Sequence, residues 1–391
     1  MPTDTVPLSL PPIGEAEQQW VAAALDAPSL AAGAFVERLE QAFAERHGRA
    51  HGVAVASATL GLLVVLRALG IGAGHEVVMA PLSWHEAAHA VLLAGAEPVL
   101  ADIDYWTGCL DASRAAPRIG PATRALLAVN VNGHPAAWGP LRALARQHGL
   151  ALIEDSSESI GSTYAGRPVG SFGDVSVFDF SAPGVIDAGG GALLLTDDAA
   201  LAHELRALRA RRLDDRRSVS AGARLPLQAG MGELGAALAL AQLTQMDERL
   251  GRRAEVVAWY ERELQGFEGI KPPYRGSDVG VLHPMLAVVH LGTRFGASAR
   301  RQMVDDLAAC GIEAAPYCLP LQRQFAYAQR GARTLPEAAA GKAALPLADR
   351  IGDRMLALPL HPALTEGEVR FIVASLKDAA TNVGAGAAIY L

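Results

Sequence analysis

The sequence predicts an α/β protein in which a mainly parallel sheet lies between layers of helices. Between residue 50 and about residue 200, short apolar segments alternate with amphipathic segments. Strands that are apolar throughout are typical of a sheet buried on both faces, and their alternation with helices is typical of parallel pairing. The rest of the chain has the pattern of a smaller α+β domain. We therefore expect two domains, 1–266 and 267–391.

Seven strands are predicted in the first domain: Val53–Ala56, Glu76–Ala80, Pro98–Asp102, Ala125–Val131, Ala151–Asp155, Val175–Phe180 and Ala192–Thr196. The helical patterns between them include Leu60–Leu69, Glu86–Ala94 and Leu141–His148. In open sheets of this kind, ligands bind beyond the carboxyl ends of the strands. Polar residues directly after these segments are therefore the first candidates for a site.

The second part of the chain begins after one long predicted helix, from about Glu233 to Leu264. A hinge is expected at 271–274, where two prolines follow a lysine. Beyond it the pattern predicts a strand at Met285–Leu291, a helix at Ala299–Cys310 and a final helix from Thr365. We expect the tail from Ala379 to be frayed.

Composition excludes several classes of function. Thirty-four Lys and Arg face 41 Asp and Glu, which gives a net charge of −7, and no basic block is present. This balance argues against nucleic acid or an anionic membrane as the main partner. The three cysteines, Cys109, Cys310 and Cys318, lie far apart, so we expect neither a disulfide framework nor a zinc site. No signal peptide and no apolar stretch of 18 residues is visible, so the expected location is cytoplasmic.

Lysine is unusually rare in this chain. It occurs only at Lys271, Lys342 and Lys377, so the first 270 residues contain none. A GC-rich genome explains a general preference for arginine. A mechanism that needs one lysine would still be expected to keep it.

Several motifs in their order resemble one enzyme family. They are Ser57-Ala58-Thr59, 72–78 (GAGHEVV), 96–104 (AEPVLADID), 154–158 (EDSSE), 170–174 (GSFGD), Arg252-Arg253 and Leu358-Pro359-Leu360. In combination they resemble the DegT/DnrJ/EryC1/StrS sugar aminotransferases, which are fold-type I enzymes dependent on pyridoxal phosphate (PLP). The resemblance covers about residues 12–378. It implies the large and small domains of that fold, and a homodimer with sites at the subunit interface.

Some functional positions of the family carry other residues here. Counting back from Thr196-Asp197-Asp198, Gly184 stands where the resemblance places the lysine that holds PLP covalently, and Asp179 where it places the phosphate-binding serine. The other departures are Gly190 for a Glu, Gln228 for the Asn that reaches the neighbouring subunit's phosphate, Gly230 for an Arg, and Gln322 for the small-domain His.

These departures argue against covalent cofactor chemistry. A Schiff base needs a primary amine, which Gly184 cannot offer. A carboxylate about 4 Å from a phosphate costs roughly 4 kcal/mol per charge at an effective dielectric of 20. From the residues alone we expect that ordinary transamination is lost and that the enzyme uses no cofactor and no metal.

Other positions of the resemblance are retained. Trp84 matches the aromatic that stacks on the pyridine ring, and Asp155 matches the partner of the pyridine nitrogen. Glu158 replaces the usual Gln or His. Each of these three residues also has a purely structural interpretation. Trp84 would be a core residue, Asp155 a helix cap and Glu158 a solvated surface residue.

The acidic residues suggest a chemistry without lysine. If Asp155, Glu158 and Asp179 share one cleft, their mutual repulsion raises at least one pKa and provides a neutral acid beside an ionised base. His85 is a candidate proton relay. These four are the predicted catalytic residues. The predicted substrate-binding residues are Trp84, Ser57, Ala58, Thr59, Ser181, Gly184, Gln228 and Tyr317.

Three classes of function remain open. The first is an enzyme of specialised metabolism, such as antibiotic biosynthesis, that performs acid–base chemistry (cyclisation, dehydration, isomerisation or condensation) on a small polar substrate, with neither nucleic acid nor membrane as partner. The second is an inactive partner subunit of an active homologue. The third is a sugar aminotransferase or dehydratase that holds PLP, or its amine form pyridoxamine phosphate (PMP), non-covalently. The residues favour the first class.

Overall fold

The computed structural model describes residues 5–11, 13–31, 33–210, 226–271, 279–328 and 345–389. Two sheets organise the chain, and a two-stranded ribbon, β6 (Thr163–Tyr164) with β7 (Arg167–Pro168), lies beside them.

The large sheet has seven strands in the order β1-β9-β8-β5-β4-β2-β3. These strands are β1 (His51–Val55), β2 (Glu76–Met79), β3 (Glu97–Leu100), β4 (Thr123–Val129), β5 (Ala151–Asp155), β8 (Val175–Asp179) and β9 (Ala192–Thr196). Five strands are parallel, whereas β9 runs antiparallel to β1 and β8. Because β9 reverses direction, β1 points the same way as β8.

Helices cover both faces of this sheet. They are α1 (Glu15–Leu25), α2 (Ala34–Arg46), α3 (Ala58–Ala68), α4 (His85–Leu93), α5 (Ala112–Ala115), α6 (Trp138–His148), α7 (Ala199–Arg209) and α8 (Glu233–Thr244). Side chains of β9 alternate between two cores: Leu194 packs with α3, while Leu193 and Leu195 pack with α2 and α8. Apolar residues on both faces of each strand produce this three-layer arrangement.

The second sheet is antiparallel, in the order β10-β11-β13-β12. Its strands are β10 (Ile270–Lys271), β11 (Ala287–Leu291), β12 (Ala315–Pro316) and β13 (Met355–Leu358). The helices beyond α8 are α9 (Met246–Leu264), α10 (Ala297–Ala309), α11 (Phe325–Ala328), α12 (Pro346–Gly352) and α13 (Glu366–Ile389). Buried residues of α9, α10 and α13, including Val256, Leu307 and Leu376, form a separate core against this sheet.

The structure confirms the predicted fold class, and the seven predicted strands agree with the observed ones within two residues. The prediction of a single long helix over 233–264 is wrong, because the backbone leaves the helical conformation at Gln245 (φ −104°, ψ 9°). At this break Gln245 and Arg249 both reach the buried carboxylate of Glu17 on α1.

The expectation of a frayed tail is also wrong. Helix α13 continues to Ile389, since Ala379 and Ala380 are buried in the second core. The expected hinge lies at the edge of the described residues: Lys271 belongs to β10, and 272–274 fall outside them. The boundary at residue 266 stays a prediction. Among the described residues, no helix combines the length and apolar character needed to cross a membrane.

Asn132 connects the loop after β4 to the segment that leads into β11. Its side-chain amide donates to the carbonyl oxygen of Leu286 (3.2 Å), and its Oδ1 accepts from the amide of the same residue (2.9 Å). The backbone of Asn132 is left-handed (φ 44°, ψ 49°), a conformation that asparagine tolerates better than most residues.

We expect Asn132→Ala to destabilise the protein by about 2–4 kcal/mol, because the buried amide of Leu286 loses its partner, the carbonyl oxygen of Leu286 keeps only the amide of Val288, and alanine tolerates the positive φ poorly. Asn132→Gly loses the same bonds but accepts the positive φ, so it should be about 1 kcal/mol less damaging. Urea unfolding of the three proteins measures both effects. Wild-type stability in both variants would show that this connection contributes nothing.

Candidate active site at the carboxyl edge of the large sheet

The structure places most predicted site residues at one edge of the large sheet. Strands β1, β2, β4, β5 and β8 are parallel, so their carboxyl ends lie on the same side. The predicted residues at or after these ends are Ser57, Ala58, Thr59, Trp84, His85, Asp155, Glu158, Asp179, Ser181 and Gly184.

Glu154, which sequence reasoning did not single out, fixes the loop that precedes β8. Its carboxylate is completely buried and accepts hydrogen bonds from the amides of Gly170, Phe172 and Gly173. It also accepts from side chains of Asn130, Ser156 and Ser176. Six donors satisfy the buried charge and hold the 170–173 loop against β5. The only sequence signal was its place one residue before Asp155.

Ser157 links the carboxyl of Asp155, at the end of β5, to the backbone of Asp179, at the end of β8. Its hydroxyl donates to Asp155 Oδ1 (2.6 Å) and accepts from the amide of Asp179 (3.0 Å), and its own amide donates to Asp155 Oδ1 (3.0 Å). The Ser181 hydroxyl donates to Asp179 Oδ1 (3.2 Å). The loops thus hold both carboxyls in place.

Glu158 lies on the short turn after β5 and is buried. Its Oε2 accepts a hydrogen bond from the amide of Asn132 (2.7 Å) and a second from the hydroxyl of Tyr317. Tyr317 follows β12 in the second sheet. The predicted residues Glu158 and Tyr317 are therefore in direct contact.

Two of these carboxyls have the same pattern of hydrogen bonding. Asp155 uses Oδ1 and Glu158 uses Oε2, and the other oxygen of each takes part in none of the hydrogen bonds among the described residues. Asp179 also receives hydrogen bonds from the backbone of Phe180 and Ser181. Within the same part of the chain, no Lys or Arg side chain pairs with any of the three. Asp155 and Glu158 thus each retain an acceptor for a ligand.

Burial controls the acidity of this cluster. It raises the pKa of Asp155 to about 6, with a further increase from the nearby charges of Asp179 and Glu86. It raises the pKa of Glu158 to about 7, although the hydrogen bonds from Tyr317 and Asn132 oppose this change. Burial also raises the pKa of Asp179. These carboxyls exchange protons closer to neutrality than ordinary acids do.

The amino end of α3 adds hydrogen-bond donors to the same edge. Ser57 caps the helix, and its hydroxyl accepts from the amide of Leu60 (3.3 Å). The amides of Ala58 and Thr59 lie in the first turn, where no intrahelical acceptor exists. Such amides and the helix dipole favour an anionic group.

Gly184 lies in the loop after β8, where the backbone leaves no space for a side chain. A Cβ atom there would be 2.9 Å from the carbonyl oxygen of Ile186 and 3.1 Å from that of Ser181. Any larger residue, lysine included, therefore requires the loop to shift.

For some residues of the predicted site and of the family motifs, the described part of the structure shows no hydrogen bond to the three carboxyls. Trp84 is 41% exposed, and Gln228 is exposed with a left-handed backbone (φ 54°). His85 begins α4, but its side chain lies outside the described part of the chain. The side-chain amide of Gln322 donates a hydrogen bond to Asp349, and not to Asp155, Glu158 or Asp179. A cavity of about 670 Å³ lies beside Asp174, at the amino end of β8, and is remote from this edge.

Comparison with known proteins identifies the family. Residues 11–377 match the DegT/DnrJ/EryC1/StrS aminotransferase family. The chain belongs to this family. It is 33% identical over 377 residues to GDP-perosamine synthase of Caulobacter vibrioides, covering 95% of this chain and 97% of the relative.

Solved structures show the same fold. The Spr1654 protein of Streptococcus pneumoniae, in its PMP form, superposes with a TM-score of 0.90 at 23% identity, covering 98% of this chain and 99% of that one. The aminotransferase TlmJ of Streptoalloteichus hindustanus gives a TM-score of 0.86 at 27% identity, covering 97% and 100%. These matches confirm a fold-type I aminotransferase architecture.

The expectation of an enzyme without a cofactor is wrong. The family is one of aminotransferases, and structures of Spr1654 exist in both PMP and PLP forms. The comparisons likewise give no support to a lyase, isomerase or cyclase that works without PLP. Among the described residues no lysine lies near the site, and this bears on how a cofactor is attached rather than on whether one binds.

The raised pKa of Glu158 makes a prediction about stability. A carboxyl whose pKa is higher in the folded state stabilises the protein most below its unfolded value, and this contribution is lost as the pH rises through about 7. Glu158→Gln should therefore gain about 2–3 kcal/mol relative to wild type between pH 4.5 and pH 8. Urea unfolding at both pH values tests this. Glu248→Gln, at an exposed position, is the control, and parallel pH curves for Glu158→Gln and wild type would contradict the prediction.

The loop at Gly184 makes a second prediction. Gly184→Ala should destabilise the protein by about 1–3 kcal/mol, because its Cβ meets backbone oxygens. At Gly230 a Cβ would lie 3.9 Å from the Cβ of Ala210, an ordinary contact, so Gly230→Ala should be neutral or slightly stabilising. Thermal unfolding compares the pair, and equal melting temperatures would show that the loop accepts side chains at residue 184.

Proposed function

We propose that this protein is a sugar aminotransferase that holds PMP or PLP through non-covalent contacts and acts on a nucleotide-linked keto sugar. The observation that carries the proposal is the carboxyl cluster at the edge where the family resemblance places the cofactor. Asp155 and Glu158 each retain an acceptor oxygen there, and no lysine of the described residues lies among the three carboxyls, Lys342 falling outside those residues.

The residues at this edge fit the amine form of the cofactor. Asp155 retains one oxygen for a protonated ring nitrogen, as the resemblance implies. The first-turn amides of Ala58 and Thr59 suit a phosphate group. Asp179 stands at the phosphate-binding position, and burial raises its pKa, a direction that favours the uncharged form and so reduces the repulsion of a phosphate. The remaining carboxyl charge attracts the ammonium group of PMP.

Covalent attachment finds no support in the described residues. Lys377 donates to the carbonyl oxygen of Glu263 and lies over the ring of Phe267, in the second core region. Lys271 is on the edge strand β10 of the second sheet. Together with the crowded backbone at Gly184, this favours a cofactor retained by hydrogen bonds and charge.

When bound, the cofactor supplies the amino group that is exchanged with a sugar carbonyl. The chain's own residues bind and orient the reactants. Asp155 is oriented by the hydrogen bond from the Ser157 hydroxyl. Glu158, which is held through Oε2, offers Oε1 as an acceptor for a proton or a hydroxyl group. No lysine of the described residues reaches the site, and a carboxyl with a pKa near neutrality suits the role of proton transfer.

The relatives support a sugar substrate. One of them is named GDP-perosamine synthase, and the resemblance extends over nearly the whole chain. Trp84, exposed at the beginning of α4, provides a flat apolar surface for a sugar or base. We also propose a homodimer with sites at the interface, because Trp84 and Gln228 are exposed in the single chain beside this edge.

The proposal is tested by titrating the purified protein with PMP and with PLP, followed by absorbance and calorimetry. We expect PMP to bind, and Asp155→Ala to weaken binding by at least tenfold, because the ring nitrogen loses its charged partner. Asp378→Ala, an exposed aspartate of α13, should bind as wild type does.

Treatment with borohydride after PLP addition should leave the mass of the chain unchanged, since no Schiff base to lysine forms. Failure of both cofactor forms to bind would contradict the proposal. A stable pyridoxyl adduct on any lysine would contradict its non-covalent part.

A further inference from the structure

The contact between Glu158 and Tyr317 joins the two halves of the chain. Tyr317 follows β12, and its amide donates to the carbonyl oxygen of Met355 on β13, so its backbone is fixed to the second sheet. Its hydroxyl donates to Glu158 Oε2 at the edge of the large sheet. Since the amide of Asn132 donates to the same oxygen, Oε2 is held from two directions.

The groups that face Glu158 come from several elements. Asp155 lies at the end of β5, and Glu86 lies on α4. Cys109 precedes α5, and Cys318 follows Tyr317, with both thiols protonated because burial raises their pKa to about 12. No arginine or lysine of the described chain bonds to Glu158. Its only hydrogen-bonding partners here are therefore neutral donors, and the charged groups that act on it are acids.

The geometry leaves Glu158 with one fixed oxygen and one available oxygen. Oε2 receives both hydrogen bonds, whereas Oε1 receives none from the described residues. Oε1 is also not sealed off from its surroundings, so a ligand can reach it. Tyr317 can contribute only a hydrogen bond, because burial and the Glu158 charge keep its pKa well above the ordinary value and the phenol stays protonated.

We propose that Tyr317 is a positioning residue, which holds Glu158 so that Oε1 gives and takes the proton at this edge of the sheet. This inference rests on the proposed function for the identity of the ligand. The Glu158 carboxylate accepts a proton from the bound ligand on Oε1 and later returns it to the ligand. No proton is consumed, and Tyr317 keeps its own proton throughout. Tyr317 thus acts through Glu158, rather than as the substrate-binding residue that the sequence predicted.

The hydrogen bond determines the expected direction of change. A donor stabilises the carboxylate, so the Tyr317 bond lowers the pKa of Glu158 while burial, Asp155 and Glu86 raise it. Removing the hydroxyl should therefore make Glu158 a weaker acid. Removing the carboxyl of Glu158 should eliminate the titration of that group and leave the titration of Asp155, whose pKa is about 6.

The test is an infrared pH titration of the ligand-free protein, which distinguishes protonated from ionised carboxyls. The difference between wild type and Glu158→Gln isolates one titration with a midpoint near 7. Tyr317→Phe should move that midpoint upward by about one pH unit. Glu158→Asp, whose carboxyl is one methylene short of the phenol, should also titrate above wild type. Tyr260→Phe, which removes a buried hydroxyl bonded to the carbonyl of Pro359, should leave the midpoint unchanged.

A second measurement follows PMP affinity against pH in the same proteins. Wild-type affinity should rise through the Glu158 midpoint, as the carboxylate forms beside the ammonium group. The rise should shift upward in Tyr317→Phe and disappear in Glu158→Gln. An unchanged or lowered midpoint in Tyr317→Phe would overturn the inference. If PMP binds to none of the proteins, the proposed function fails, and the infrared titration still decides the role of Tyr317.

Discussion

The site depends on one electrostatic constraint: several carboxyls meet at one edge of a sheet without a cationic side chain to neutralise them. Asp155 and Asp179 end neighbouring strands, and Ser157 links them. Burial, with smaller contributions from the neighbouring acids, raises the pKa of Asp155 to about 6 and that of Glu158 to about 7, so these groups exchange protons near neutral pH. A ligand that carries positive charge relieves the repulsion. The same arrangement therefore favours an amine-bearing ligand and provides groups that exchange protons near neutrality.

Local patterns were enough to predict the fold and to place several candidate site residues at one edge of the sheet. Apolar segments fixed the seven strands within two residues, and the rule for open sheets located Asp155 and Asp179 at their carboxyl ends. The contact of Glu158 with Tyr317 spans 159 positions in the sequence, so no local pattern could indicate it. Likewise, the break at Gln245 depends on a tertiary bond to Glu17, and the continuation of the helix past residue 378 accompanies burial of Ala379 and Ala380.

The error about the cofactor has a physical lesson. The residues showed that covalent attachment lacks an amine at Gly184, and the structure adds that the loop there cannot accept a side chain without moving. Binding itself depends on other contacts, namely a carboxyl for the ring nitrogen, free amides for the phosphate and charge for the amine. Asp155 and the first turn of α3 are the groups that we propose for these contacts. Family membership shows aminotransferase ancestry, whereas the manner of attachment is decided by the chain's own residues.

The central claim is that this edge holds a vitamin B6 cofactor without a bond to the protein. A crystal structure of the protein grown with PMP, and then exchanged with PLP, tests this most directly. We predict cofactor density at the carboxyl ends of β5 and β8, separate from every side chain in both crystals. Density continuous with a lysine in the PLP crystal, or cofactor bound at another place on the chain, would contradict the account.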